Sequence, residues 1–254
     1  MPALVRRPAI LVLLATCLLA APAAQAQPAS SAAALPPLEV VLARHLEARG
    51  GAERLRAVKA IRMTGTMTGP FGEEVPTVIL MKRPDRIRQE IEVGGQTLVQ
   101  AFDGTRGWTL NPMMGGAPVE VPRAIARRMA EQADFDGPLV DPAAKGHRVE
   151  VAGEDRVEDR AAVKLKLTKK SGEVQFVWLD RERWLELKSE GTVEQAGRSI
   201  RIESRHSDFR TIDGITTPFV VEVFADGHLQ QKIVLESVEF PPSLEDTLFQ
   251  VPAR

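Results

Sequence analysis

Cysteine is almost absent from this sequence. The single one, Cys17, lies inside the first apolar stretch, which is expected to be removed. The remainder has no disulfide, no thiolate nucleophile and no cysteine metal ligand. Basic excess is also lacking. Lys and Arg number 33 against 34 Asp and Glu, so no field suited to nucleic acid arises. Beyond the N-terminus no apolar run is long enough to span a bilayer. Catalytic signatures are missing as well: there is no Gly-x-Ser-x-Gly, no His-Glu-x-x-His and no phosphate-binding glycine loop. The four histidines are scattered, without the close spacing of a metal site. His45 falls on the apolar side of a helical stretch and reads as a packed histidine, while His147 and His228 sit beside glycines in loops. His206-Ser207-Asp208 holds the residue types of a hydrolase triad, but adjacency in sequence does not supply the geometry. These absences lead to the expectation of a non-enzyme without cofactor or metal.

What is present begins with an export signal. Arg6 and Arg7 precede an apolar run from Ala9 to Ala21, and Ala24-Gln25-Ala26 has the small-x-small pattern of a cleavage site. Cleavage is expected before Gln27, making residues 1–26 a signal peptide and the compartment the periplasm. Thr16 before Cys17 is too large for lipoprotein processing. Loss of the two arginines takes the formal charge from −1 to −3. Residues 27–37, rich in Ala, Ser and Pro, read as a flexible leader, and 38–254 as a single domain.

Leu38, Val41, Leu42, His45 and Leu46 recur at helical spacing, and Gly50-Gly51 stops that helix. From Lys59 the period drops to two. Strands are expected through Ile61–Met67, Val75–Met81, Ile87–Val93, Gln96–Phe102 and Gly107–Leu110, with Met113 to Pro118 as a loop. A helix from Pro122 to about Ala133 carries Ile125 and Met129 as its apolar stripe, with Arg123, Arg127 and Arg128 facing water. Six more strands follow, separated by Ser171-Gly172, Asp180 to Arg183 and Asp226-Gly227 turns. About ten or eleven antiparallel strands must curl or close. Several are apolar on both faces: Val177 and Leu179 oppose Val174, Phe176 and Trp178. Either both faces are covered, one by a ligand, or the sheet belongs to an ordinary helix-covered or sandwich core.

Lys82-Arg83-Pro84 begins a stretch that continues through Ile87, a hairpin, Val99-Gln100-Ala101-Phe102-Asp103-Gly104, Trp108 and Asn111-Pro112. Gly50-Gly51-x-Glu53-x-Leu55, Gly137-Pro138-Leu139 and Phe249 to Pro252 flank it. This order resembles the LolA lipoprotein-carrier family and the wider group of outer-membrane lipoprotein-sorting proteins. The resemblance implies a mainly β (α+β) fold: a half-open, strongly curved antiparallel barrel with an N-terminal helix and a helical lid. It implies a monomeric periplasmic carrier that binds lipid or lipoprotein acyl chains without catalysis, served by an inner-membrane releasing complex and an outer-membrane acceptor. Candidate cavity residues are Met63, Met67, Ile79, Met81, Ile87, Ile91, Leu98, Phe102, Trp108, Phe176 and Trp178. Ile125 and Met129 would belong to the lid. Arg83 matches the family arginine that latches the lid through backbone hydrogen bonds. Leu110 stands where the family tends to have an aromatic, and tyrosine is absent, so lipoprotein and free lipid both remain admissible as cargo. A similar barrel also occurs in a periplasmic sensor of envelope stress, which makes a regulator binding lipid or a membrane protein the alternative.

Overall fold

A computed structural model of the protein describes residues 35–195 and 197–252. The expected signal peptide, and residues 27–34 of the leader, lie outside the described residues. Two helices come first, α1 (Leu38–Ala48) and α2 (Ala52–Ala57). Gly50 and Gly51, at φ +115° and +86°, separate them in a conformation only glycine takes easily. Gly50 has a second constraint, because an added Cβ would lie 2.2 Å from the carbonyl oxygen of Gly214.

Six strands follow: β1 (Ala60–Thr68), β2 (Glu74–Lys82), β3 (Arg86–Val93), β4 (Gln96–Phe102), β5 (Gly107–Leu110) and β6 (Pro118–Glu120). Helix α3 (Arg123–Gln132) leads to the second series: β7 (Arg148–Val157), β8 (Arg160–Thr168), β9 (Val174–Asp180), β10 (Glu186–Gln195), β11 (Arg198–Ile212), β12 (Ile215–Ala225) and β13 (His228–Glu239). Among the described residues no helix is long and apolar enough to cross a membrane.

All thirteen strands join one antiparallel sheet in the order β6-β5-β4-β3-β2-β1-β13-β12-β11-β10-β9-β8-β7. The sheet is open, with β6 and β7 as its edges. The count exceeds the ten or eleven expected because β6 and β7 carry weak sequence signals. β6 is three residues long, in the stretch bordering the expected loop. β7 is so charged (RVEVAGEDRV) that only its first residues alternate. Short or charged strands are what sheet edges select, since they discourage pairing with other chains.

One face of the sheet, here the inner face, carries the helices. Val41 of α1 packs with Val149, Val163, Leu165, Leu167, Val177 and Leu179 of β7–β9. Leu55 of α2 packs with Val58, Ile215, Ile61 and Phe135. Met129 of α3 packs with Phe102 and Ile87. α3 comes close to the sheet because Gly107 has no side chain; a Cβ there would lie 2.7 Å from Val121 Cγ2 and 3.0 Å from Met129 Sδ.

The outer face is covered differently at its two ends. Over β2–β5 lies the C-terminal segment. Trp108, fully buried with Val99 and Ala101, donates its Nε1–H to the carbonyl of Phe249 at 2.8 Å. Arg88 donates to the carbonyl of Leu248 at 2.8 Å, and Lys82 to that of Leu244 at 2.6 Å. Over β8–β10, Lys164 and Lys188 lay their ammonium groups on the rings of Phe176 and Trp178 at 4.2–4.8 Å. Long basic side chains cover apolar surface in this way while their charges stay in water. In β8–β10 both apolar faces are therefore covered by protein.

Candidate functional site

Between the helices and the inner face lies a cavity of about 400 Å³. The sheet supplies Ile61 and Met63 of β1, Met81 of β2, Phe209 of β11, Val221 of β12, and Ile215 and Phe240. The helical side supplies His45, Arg49, Leu55 and Val58. Gln132, at the end of α3, and the segment Phe135 to Leu139 close it over. These strands are neighbours in the middle of the sheet, in the order β2-β1-β13-β12-β11. Most of the wall is apolar, and the size falls within the usual range for small-molecule pockets.

The expected cavity residues divide by face. Pairing registers put Met63 opposite Ile79, Met67 opposite Val75, Met81 opposite Ile87, Ile87 opposite Phe102, and Ile91 opposite Leu98. All eight of these expected residues in β1–β4 share the inner face. Only Met63 and Met81 border the cavity. Ile87 and Phe102 lie under α3, while Met67, Ile79, Ile91 and Leu98 are spread further along the same face. Trp108, Phe176 and Trp178 are corrections. They sit on the outer face, where Trp108 anchors the C-terminal segment and Trp178 donates to Asp155 Oδ2 at 2.9 Å. Of the expected lid residues, Met129 is buried against the sheet and Ile125 is 47% exposed.

Arg83 holds the segment that closes the cavity. Its Nε donates to the carbonyl of Val58 at 2.9 Å and one terminal nitrogen to that of Leu55 at 3.0 Å. The same guanidinium forms a fork onto Asp136, both contacts 2.6 Å, and stacks over the Phe135 ring at 4.3 Å. A second arginine, Arg49 at the end of α1, donates to the carbonyls of Phe135, at 3.0 Å, and Asp136. Lys145 donates to Asp134 at 2.5 Å and to the carbonyl of Gly137 at 2.7 Å. Three cations from three parts of the chain thus fasten residues 134–137. Burial opposes charge on Asp136, but the hydrogen bonds and charge of Arg83, with Lys145 and Arg49, outweigh it and hold the carboxyl below its usual range. Sequence reading missed Arg49 and Asp136, because nothing in the spacing of residues 49, 83 and 136 indicates that they meet.

His45 is a packed histidine whose Nδ1 lies 2.9 Å from the carbonyl of Trp184. A carbonyl only accepts, so Nδ1 carries the proton and Nε2 is left an acceptor in the neutral ring. Burial, and then the charge of Arg49, lower its pKa and favour that neutral form. His206 lines the cavity with Nδ1 buried and without a hydrogen-bond partner, 3.6 Å from Glu186 Oε1. The cavity therefore has a polar end. Among the described residues no group of three His, Cys, Asp or Glu is placed to hold a metal ion.

No family model matches the chain, and no curated protein does. Solved structures do. A LolA superfamily protein from Nitrosomonas europaea superposes with a TM-score of 0.56 at 14% identity, covering 85% of this chain and 98% of that one. A DUF1329 family protein from Desulfovibrio piger gives 0.55 at 14%, over 85% and 98%. A domain named for outer-membrane lipoprotein sorting, from Vibrio parahaemolyticus, gives 0.52 at 14%, over 84% and 95%. The protein has the LolA-like fold.

Proposed function

We propose that this protein is a periplasmic carrier which takes an acyl chain, from lipid or lipoprotein, into the cavity under the segment 134–137 for transport toward the outer membrane. The observation that carries this reading is the cavity itself: about 400 Å³, mostly apolar, on the helix-covered face of the sheet. An acyl chain in water costs about 0.8 kcal/mol per methylene, which a dry apolar wall removes. Met63 and Met81 suit such a wall, because unbranched thioether side chains adapt to chains of different shape. Two of the similar structures bear LolA and lipoprotein-sorting names, which agrees with carriage rather than catalysis. Arg83 is the latch in this reading. It fastens the covering segment through hydrogen bonds that can be exchanged for water when the cavity opens.

Native mass spectrometry with lipid extraction, on protein purified gently from a periplasm, tests the proposal. Acyl species are expected at near-stoichiometric level. They should be lost in Met63→Trp, whose indole fills the space, while circular dichroism stays unchanged. A wild-type protein that stays apo after incubation with lipids and lipoprotein would overturn the reading and turn attention to a membrane-protein partner.

A further inference from the structure

The polar end of the cavity is built by an irregularity in β10. Registers from β9 put Ser189 opposite Val177 on the inner face and Lys188 opposite Trp178 on the outer one. Strict alternation would send Glu186 outward. Instead the register shifts between Glu186 and Lys188, and Glu186 pairs with Leu179, an inner residue buried in the core. One extra residue has turned a carboxylate from solvent into an apolar cavity. Bulges that re-aim a side chain in this way are enriched beside functional sites, and a carboxylate is costly to desolvate without a partner.

Among the described residues no group hydrogen-bonds the Glu186 carboxylate, although the Arg49 guanidinium on the same cavity wall balances its charge. Its nearest side-chain nitrogen among the described contacts is His206 Nδ1 at 3.6 Å, longer than a hydrogen bond. That nitrogen is itself buried and unpartnered, on a strand position paired with cavity-lining Val221. His45 directs its proton away, to the carbonyl of Trp184. Arg49 has both terminal nitrogens turned to the carbonyls of Phe135 and Asp136. The polar end thus presents acceptors, the Glu186 carboxylate and His45 Nε2, and an unpartnered imidazole nitrogen that can give or take a hydrogen bond. It also presents the Arg49 guanidinium, two of whose five N–H donors are placed on carbonyls.

Building on the carrier reading, we infer that the cavity selects a single-chain amphiphile with an uncharged, hydroxyl-bearing head. Its O–H donates to Glu186, and its oxygens fall within reach of His206. Volume sets the tail. At roughly 30 Å³ per methylene-sized group, about the share of a water in the liquid, 400 Å³ takes about a dozen non-hydrogen atoms, enough for the head and part of one chain but not for two chains. A carboxylate head is disfavoured, because it would add a further negative charge beside Glu186 in a poorly solvated space, where the Arg49 guanidinium already balances Glu186, Asp136 and Asp134.

Isothermal titration calorimetry of the mature protein with 1-lauroylglycerol and with laurate, both below micellar concentration, tests this. Lauroylglycerol should bind at least about tenfold tighter, the scale of one hydrogen bond to a charged group. Glu186→Gln keeps an acceptor but removes the charge, so laurate should gain and the preference should fall to within about threefold. Equal or tighter binding of laurate to wild type overturns the inference and leaves the carrier reading standing. So does a preference unchanged in a folded Glu186→Gln protein. Binding of neither ligand overturns the carrier reading itself, and the inference with it.

Discussion

At the scale of single residues the fastening of residues 134–137 is the feature most open to test. The Arg83 and Asp136 side chains are 27% and 14% exposed. Removing one partner of a fully buried pair costs about 3–5 kcal/mol, mainly by stranding the other charge. Partial exposure reduces this, so Arg83→Leu should destabilise by about 2 kcal/mol in urea unfolding at neutral pH. Arg83→Lys should recover little, because an ammonium cannot reproduce the fork onto Asp136 while also reaching Val58 and Leu55. The pH dependence has a fixed sign. The Asp136 carboxyl is held below its usual range, so its contribution is fully present above that range and is lost as pH falls through the depressed value. The gap between wild type and Arg83→Leu should therefore be widest near neutrality and narrow in acid. A gap independent of pH would show that Asp136 is not what Arg83 holds.

At the scale of elements, the sheet shows what alternation can and cannot reveal. β2, β3 and β4 pair without a register shift, so period-two reading put Met81, Ile87, Ile91, Leu98 and Phe102 on one face correctly. Where both faces are apolar, alternation cannot say which is inward, and Phe176 and Trp178 were placed on the wrong side for that reason. Trp108 is a different case. It is buried by a segment some 140 residues later in the chain, a contact with no local trace in sequence. The edges β6 and β7 were illegible because edge strands are kept short or charged, and Glu186 because a bulge inverts the pattern. Trp108→Phe tests the C-terminal cover directly. It keeps most of the ring but leaves the buried Phe249 carbonyl without its donor, and should cost about 1–3 kcal/mol. Protease cleavage near residues 244–249 should rise in the variant; unchanged cleavage and stability would mean that the indole N–H contributes nothing to holding the segment.

For the molecule as a whole, strand order places the segment that the carrier reading requires to move. The first and last strands, β1 and β13, pair in the middle of the sheet, while its free edges, β6 and β7, are consecutive in the chain. The connection between those edges contains α3 and the fastened segment 134–137. A single stretch of chain therefore closes the cavity and bridges the open side of the sheet, so it can lift without breaking any strand pairing. Its anchorage is uneven. α3 buries Met129, with Ala133 just past its end; Ile125 and the arginines are exposed, and Glu131 adds one ion pair with Lys169 at 2.7 Å. The β8–β9 region, by contrast, holds Val163, Leu165, Leu167, Val177 and Leu179 in a nearly solvent-free core. Regions with few buried apolar side chains open locally at lower free energy than the core. Hydrogen exchange should thus show the amides of α3 and residues 134–137 exchanging well before those of β8 and β9. Arg83→Leu should accelerate the first group, and the second only by the loss of about 2 kcal/mol in global stability, and a bound acyl ligand should slow the first group. If α3 exchanged as slowly as β8 and β9, opening it would require global unfolding, and cargo would have to enter from another side of the sheet.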